Sequence, residues 1–399
     1  MSQRRIYITG AGIVSALGVG KQATLDSLLQ VGTGIGQMRY LQGTNHTYYP
    51  VGEVPLSNEQ MLQHLGMPNN MPSIRTGLMG MIAAQEAVNQ AELHRNRPQR
   101  TALISGTTVG GMECSEQHYQ DFFEGRHTHY IGLHNCASST EQIAQRTGPY
   151  GLCTSLSTAC SSAANAIAMG AQLIATGRAD LVVAGGSECL SRFHLNGFHT
   201  LMILDKQHCR PFCEHRAGLN LGEGAAYVVL ESEQSVLQRG VEPLCRLSGY
   251  ANTCDAFHQT ATSDNGQGPY LAMQAALQMA GLQPHQIDYI NAHGTGTPNN
   301  DLTEGIAVER VFGDKVPHIS STKPYTGHTT SAAGSVEAVI AILAMQHSFV
   351  PVSLNIEQPI EALHFKPTMH PLHNVELRHV LSNSFGFGGN DTACIFSKP

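Results

Sequence analysis

The chain has 399 residues, 41% of them apolar and only 13% charged, with a formal net charge of −7. A chain of that length can bury a large core as one large or two medium domains, and the composition excludes a disordered protein. The acidic balance argues against general binding to nucleic acid or to an anionic membrane surface.

The opening MSQRR runs into a strand-like segment at 6–9 without an apolar signal-peptide core. No stretch is long and apolar enough to span a bilayer. Strand-like runs at 6–9, 102–105, 181–184 and 226–230 alternate with helical runs at 24–30, 77–91 and 163–176, which predicts an α/β layered fold. A new strand begins at 245–249 and the same grammar resumes. It gives helix 269–280, strand 287–292, helix 300–312, strand 318–321 and the apolar helix 332–346. The ten cysteines are scattered without CxxC spacing, as expected of reduced thiols in a cytoplasmic protein. Of the 21 dispersed histidines, His127 and His129 form the closest pair, read as a surface loop and not as a metal site.

The two halves look alike at one place. In the first, Leu156-Ser157-Thr158-Ala159-Cys160 leads into SSAANAIAMGAQLIA; in the second, Lys323-Pro324-Tyr325-Thr326-Gly327-His328 leads into TTSAAGSVEAVIAILA. Each is a small or polar turn carrying one reactive side chain, followed by an Ala-rich helix. This predicts an internal duplication, divided into 1–245 with the cysteine and 246–399 with the histidines.

A cysteine in the first turn of a helix faces unpaired N–H groups and the positive end of the dipole, which favours thiolate over thiol; Cys160 is therefore the candidate nucleophile. His293 follows the strand 287–290 in the glycine-rich loop NAHGTGT, a position that faces a pocket in α/β folds. Asp301 and Glu304 stand three apart at a helix start. Lys323 and His328 follow, and NSFGFGG near the C-terminus lets backbone N–H groups approach a ligand. One cysteine, two histidines, a lysine and a glycine loop are what acyl transfer through a thioester needs. Nothing in the set calls for an organic cofactor. The opening ITGAGIVS is similar to a dinucleotide-binding loop, but Ser15 stands where the last glycine belongs.

In this order, TACSS, NAHGTGT, STKPYTGH and NSFGFGG closely resemble the 3-oxoacyl-(acyl-carrier-protein) synthases, in particular the type II elongating ketosynthases of the thiolase-like condensing-enzyme superfamily. The opening ITGAGIVS and GEGAA at 222–226 match as well, so the likeness spans the chain. It implies a thiolase-like fold of two βαβαβαββ halves in five αβαβα layers, paired as a dimer. It also implies that Cys160 accepts an acyl chain from an acyl carrier protein. His293 and His328 would bind the malonyl-carrier carbonyl, and decarboxylation would yield the carbanion that attacks the thioester. The amides of Cys160 and Phe387 would form an oxyanion hole, with Phe387 as a gate; Lys323 and Glu304 would be a buried pair that orders the histidines. Val109, Phe198 and Phe385 would line the acyl pocket, and Asn291, Glu337, Ser382 and Asn383 match a structural monovalent-cation site. The partner in the dimer is either a second copy or a chain-length-factor homologue, in fatty-acid or type II polyketide biosynthesis. The competing reading is a non-catalytic scaffold subunit, against which Cys160 speaks.

The chain departs from the resemblance at Asn390-Asp391, where the family continues Thr-Asn, and at 216–219, where Arg216-Ala217-Gly218-Leu219 replaces a pattern bearing Asp and Phe. Arg126 and Arg192 are the candidate basic residues for docking an acidic carrier, and 57–70 contains no lysine.

Overall fold

The computed structural model describes residues 5–399. Its strands are β1 (Ile6–Ser15), β2 (Gly18–Val19), β3 (Thr101–Gly106), β4 (Leu152–Leu156), β5 (Leu181–Glu188), β6 (Gly224–Ser232), β7 (Cys245–Cys254), β8 (Tyr289–Asn291), β9 (His318–Ser320), β10 (Phe349–Val350), β11 (Leu372–His373), β12 (His379–Gly386) and β13 (Asn390–Ser397). The main sheet runs β4-β3-β5-β6-β1-β7-β13-β12-β8-β9, with β2 paired to β1 and a separate β10-β11 ribbon. Numbered in chain order, β1, β3, β4, β5 and β6 lie in the order 3-2-4-5-1, and β7, β8, β9, β12 and β13 repeat that order from the opposite edge. The inner strands β1 and β7 meet only at Tyr7–Arg246 and Ile8–Cys245, where one five-stranded unit turns into the other.

Helices cover both faces of each unit. Helix Arg75–Gln90 packs outside β1, β5 and β6, and helix Gln267–Ala280 packs outside β7 and β13. Between the two units lie helices Ser162–Ala175 and Ala333–His347, in contact with each other and with strands of both halves. This is the five-layer thiolase-like arrangement. Burial on both faces explains why β5 (LVVAGGSE) and β6 (GAAYVVLES) are buried at every residue and lack period-two alternation. Likewise, helix Ala333–His347 is buried from Ala333 through Met345 and has no polar face.

The strand read at 6–9 in fact extends to Ser15. Its glycines lie under a helix: a Cβ on Gly12 would stand 2.0 Å from the carbonyl oxygen of Ala83. The ITGAGIVS segment is therefore a strand interior that admits a close helix, not a phosphate turn. Helices Asn58–His64, Met112–Phe123, Cys136–Thr147 and Arg192–Thr200 were not legible in the sequence. No helix among the described residues is long and apolar enough to cross a membrane.

The central helices approach closely because Gly334 lacks a side chain; a Cβ there would lie 2.7 Å from Ala164 Cβ and 2.7 Å from Ser384 Oγ. Gly334→Ala is expected to cost about 1–3 kcal/mol by overpacking. The check is the thermal midpoint, and an unchanged value would mean that the seam is looser than these contacts require.

Candidate active site

The nucleophile candidate stands on a strained turn. Ala159 adopts φ 51°, left-handed for a residue with a Cβ. Its surroundings hold it there: Thr158 N–H donates to Ser162 Oγ (2.8 Å), Ser162 Oγ donates to Ala159 O (2.6 Å), and Asn165 Nδ2 donates to Thr158 Oγ1 (2.9 Å). Gly386 lies against this turn, since a Cβ on it would be 2.7 Å from Thr158 O. Helix Ser162–Ala175 has Ser161 as its N-cap, so Cys160 precedes the helix and is not in its first turn. The expected bias towards thiolate is overturned. Burial pushes the thiol up to about 11, outweighing the pull of Lys323 and of the Phe387 N–H; Glu337 raises it further, and the Cys160 N–H lowers it.

His293 leaves the end of β8 in a loop whose amides are held by carboxylates. Glu304 accepts from His293 N–H and Gly294 N–H (both 2.8 Å) and from Asn383 Nδ2 (3.1 Å); Asp301 accepts from Phe212 N–H (2.8 Å) and Gly296 N–H (3.1 Å). The expected Lys323–Glu304 pair is not formed. Lys323 Nζ instead donates to Glu337 Oε1 at 2.5 Å, to the His293 carbonyl, and to His293 Nδ1 at 3.3 Å. Glu304 is already occupied by the loop amides, whereas Glu337 is the one carboxylate on the apolar central helix. An ammonium can only donate, so Nδ1 of His293 must accept, leaving the proton on Nε2.

His328 is fixed by its backbone: its N–H donates to Asn220 O (2.7 Å) and its carbonyl accepts from Gly222 N–H (3.0 Å). The two imidazoles stand edge to face with ring centres 5.4 Å apart. Burial first, then Lys323, holds both well below the ordinary histidine range; His328 adds to the effect on His293, and His194 to that on His328. Both rings are neutral at neutral pH. Cys160, His293 and His328 line a single cavity of about 380 Å³.

Phe198, Phe385 and Phe387 line that cavity as well. Phe387 stacks on Phe198 with ring centres 5.8 Å apart, and Phe385 lies 5.7 Å from His293. Val109 does not line the cavity within this chain; it is buried in a turn whose amides donate to Glu188. The expected docking cations are engaged, Arg126 with Asp121 and Glu124, and Arg192 with Glu116. Of the expected cation ligands, Asn291 Oδ1, Glu337 Oε2 and Asn383 Oδ1 are buried without a hydrogen-bond partner, and Ser382 pairs with Asn291 across β12 and β8. Three stranded oxygen acceptors fit a bound cation. His129 opens a short exposed helix, and among the described residues no cluster of His, Cys, Asp and Glu could hold a metal ion. The sequence reading missed Thr260, Thr262, Thr295, Thr297, Asn299 and Asn300, which line the cavity.

A thiol and two neutral imidazoles at the seam of a duplicated, five-layer α/β fold define a thiolase-like condensing enzyme. The chain belongs to the beta-ketoacyl synthase family, whose N-terminal domain matches residues 3–235 and whose C-terminal domain matches 244–357. It is 32% identical to a 3-oxoacyl-[acyl-carrier-protein] synthase 2 of Staphylococcus aureus (strain COL), over all of this chain and 99% of that one. Among solved structures it is similar to the ishigamide ketosynthase/chain length factor (27% identity, TM-score 0.91, 100% of both chains). It is also similar to the ketosynthase ApeO in complex with its chain length factor ApeC from Xenorhabdus doucetiae (31% identity, TM-score 0.86, 99% of this chain and 98% of that one).

Because burial raises the Cys160 thiol, its alkylation by iodoacetamide is expected to keep climbing with pH through 9 and on towards 11. Peptide-resolved mass spectrometry separates it from the exposed Cys153 and Cys254. A plateau near neutral pH would show a thiolate stabilised beyond what these surroundings supply.

Proposed function

We propose that the protein carries out a decarboxylative Claisen condensation. An acyl group is carried as a thioester on Cys160 and joined to the malonyl unit of an acyl carrier protein. The supporting observation is that one thiol and two neutral imidazoles share a single cavity. The His293 Nε2–H and the His328 ring donate to the malonyl thioester oxygen. Loss of carbon dioxide leaves an enolate there, and its carbon attacks the acyl carbonyl. The thioester bond between the acyl carbon and Cys160 Sγ breaks, releasing the 3-oxoacyl-carrier product and a thiolate that takes a proton from water to restore the thiol. Phe387 N–H and Cys160 N–H, both of which favour negative charge at the sulfur, stabilise the tetrahedral oxyanion. Lys323 and Glu337 fix the His293 tautomer, and Glu304 holds the loop, so all three position and none transfers a proton. Phe387 acts as a gate against Phe198, and Phe198 and Phe385 receive the acyl chain. Threonines 260, 262, 295 and 297 offer hydroxyls to the polar arm of the carrier.

The division at 245, with the nucleophile before it and both histidines after it, is supported by the repeated strand order. β4 is an unpaired edge with Leu152 exposed, and helix Met112–Phe123 exposes Tyr119, Phe122 and Phe123. That apolar edge supports pairing with a second copy or with a chain-length-factor homologue; the mass of the chain purified alone distinguishes them. All ten cysteines are free, which supports a reducing cytoplasm.

A monovalent cation held by Asn291, Glu337 and Asn383 beside Ser382 would satisfy the oxygens left bare and neutralise the Glu337 charge that Lys323 shares. A thermal midpoint higher in potassium or sodium than in tetramethylammonium chloride is expected; equal midpoints would remove the cation.

Cys160→Ser should abolish transfer to carrier-bound product, since a hydroxyl is a far poorer nucleophile at neutral pH. His293→Ala and His328→Ala should each slow malonyl-carrier decarboxylation by about a hundredfold or more. Intact-mass analysis of the carrier reads both steps, and undiminished decarboxylation in both histidine variants would reject the assigned roles.

A further inference from the structure

Asp391 is the second residue of β13, two residues beyond the glycine turn that follows Phe387. It is 1% exposed, and its Oδ2 is buried with no hydrogen-bond partner. It faces Gly268, in the first turn of helix Gln267–Ala280: a Cβ there would come within 2.0 Å of Asp391 Oδ2 and 2.8 Å of Asp255 Cβ. Asp255 is fully engaged, accepting from Ser263 N–H (2.6 Å), Ser263 Oγ (2.7 Å) and Gly268 N–H (3.1 Å). The loop from Asp255 also holds the turn behind Phe387. Asp255 N–H donates to Gly389 O and Gly388 N–H donates to Gln259 O, both at 2.8 Å. On the other side, Asn390 Oδ1 accepts from Ser161 Oγ (2.8 Å) and Asn165 Nδ2 (2.7 Å), tying the segment to the start of the helix that follows Cys160.

We propose that Asp391 is a positioning residue that works as a neutral carboxylic acid. Uncharged, it lets 388–391 stay docked on the 255–259 loop with the Phe387 amide at the sulfur; ionised, it places a second charge beside Asp255 and releases the turn. The docking stands on geometry alone, whereas its effect on the Phe387 amide rests on the condensing role proposed above.

The ionisable groups bearing on Asp391 are Asp255 and Glu304. Its strand partners are Thr253 on β7 and Phe385 on β12, with Cys254 adjoining, and none is a cation. Burial, then Asp255, then Glu304, raise the carboxyl to about 8. An undocked, solvated carboxyl ionises at about 3.9. The docked form is therefore fully favoured below that value, loses ground as pH rises, and levels off above about 8.

Hydrogen exchange of peptides covering 384–392, corrected for the intrinsic rate, tests this in the full chain and in Asp391→Asn. Between pH 6 and 8 the wild-type protection is expected to fall by about tenfold or more and then level, while the variant stays flat. Glu304 and Glu337, both raised by burial to about 7, titrate in both proteins, so the difference between the two isolates Asp391. Equal slopes would overturn the proposal, as would a flat wild-type curve alone should the variant fail to fold. Absence of acyl transfer would reject the condensing role and leave this measurement untouched.

Discussion

The site depends on one buried ion pair. Lys323 and Glu337 face each other out of water, where removing either partner costs about 3–5 kcal/mol because the survivor is left charged and unpaired. The same ammonium hydrogen-bonds the carbonyl and Nδ1 of His293, adds to the burial that keeps both imidazoles uncharged, and partly offsets the burial of the Cys160 thiol. Burial thus sets the protonation of three reacting groups, and this one charge reinforces it at the two rings while opposing it at the thiol. The pair stays out of water because Glu337 comes from the central helix, which is buried from Ala333 through Met345.

The chemistry was legible from the sequence wherever a reactive side chain stood at the junction of a strand and a small-residue helix. Cys160, His293 and His328 read that way because strand ends and glycine loops open onto cavities. Lys323 was legible too, but its partner was not. The resemblance pairs it with Glu304 and places Glu337 in a cation site, whereas Glu337 stands in AGSVEAVIAILA as a solitary carboxylate among apolar residues, and that oddity was the available signal. Val109 shows the opposite failure: its neighbours in the sequence gave no hint that Glu188, from the end of β5, would draw its amide inward. The central strands and helices were legible because burial on all sides leaves continuous apolar runs. Helices such as Met112–Phe123 escaped notice because few of their residues are buried.

The duplicated topology explains why the reactive groups come from distant parts of the chain. Cys160 precedes one central helix and His328 the other, and those helices touch at Ala164 and Gly334. Helix packing therefore brings the two turns together, and the hydrogen bonds within each turn and loop fix the reactive side chains upon them.

With the thiol and both rings neutral and the ammonium matched by Glu337, the resting cavity offers an entering malonyl carboxylate no unshared positive charge. An anion brought there by the rest of its carrier gives up hydration and gains little in exchange. In the proposed condensation, departure as uncharged carbon dioxide would relieve that disadvantage, and the negative charge would move to an oxygen facing the two imidazole N–H groups. The same neutrality that makes the empty cavity inert would thus set the direction in which electrons flow once it is filled.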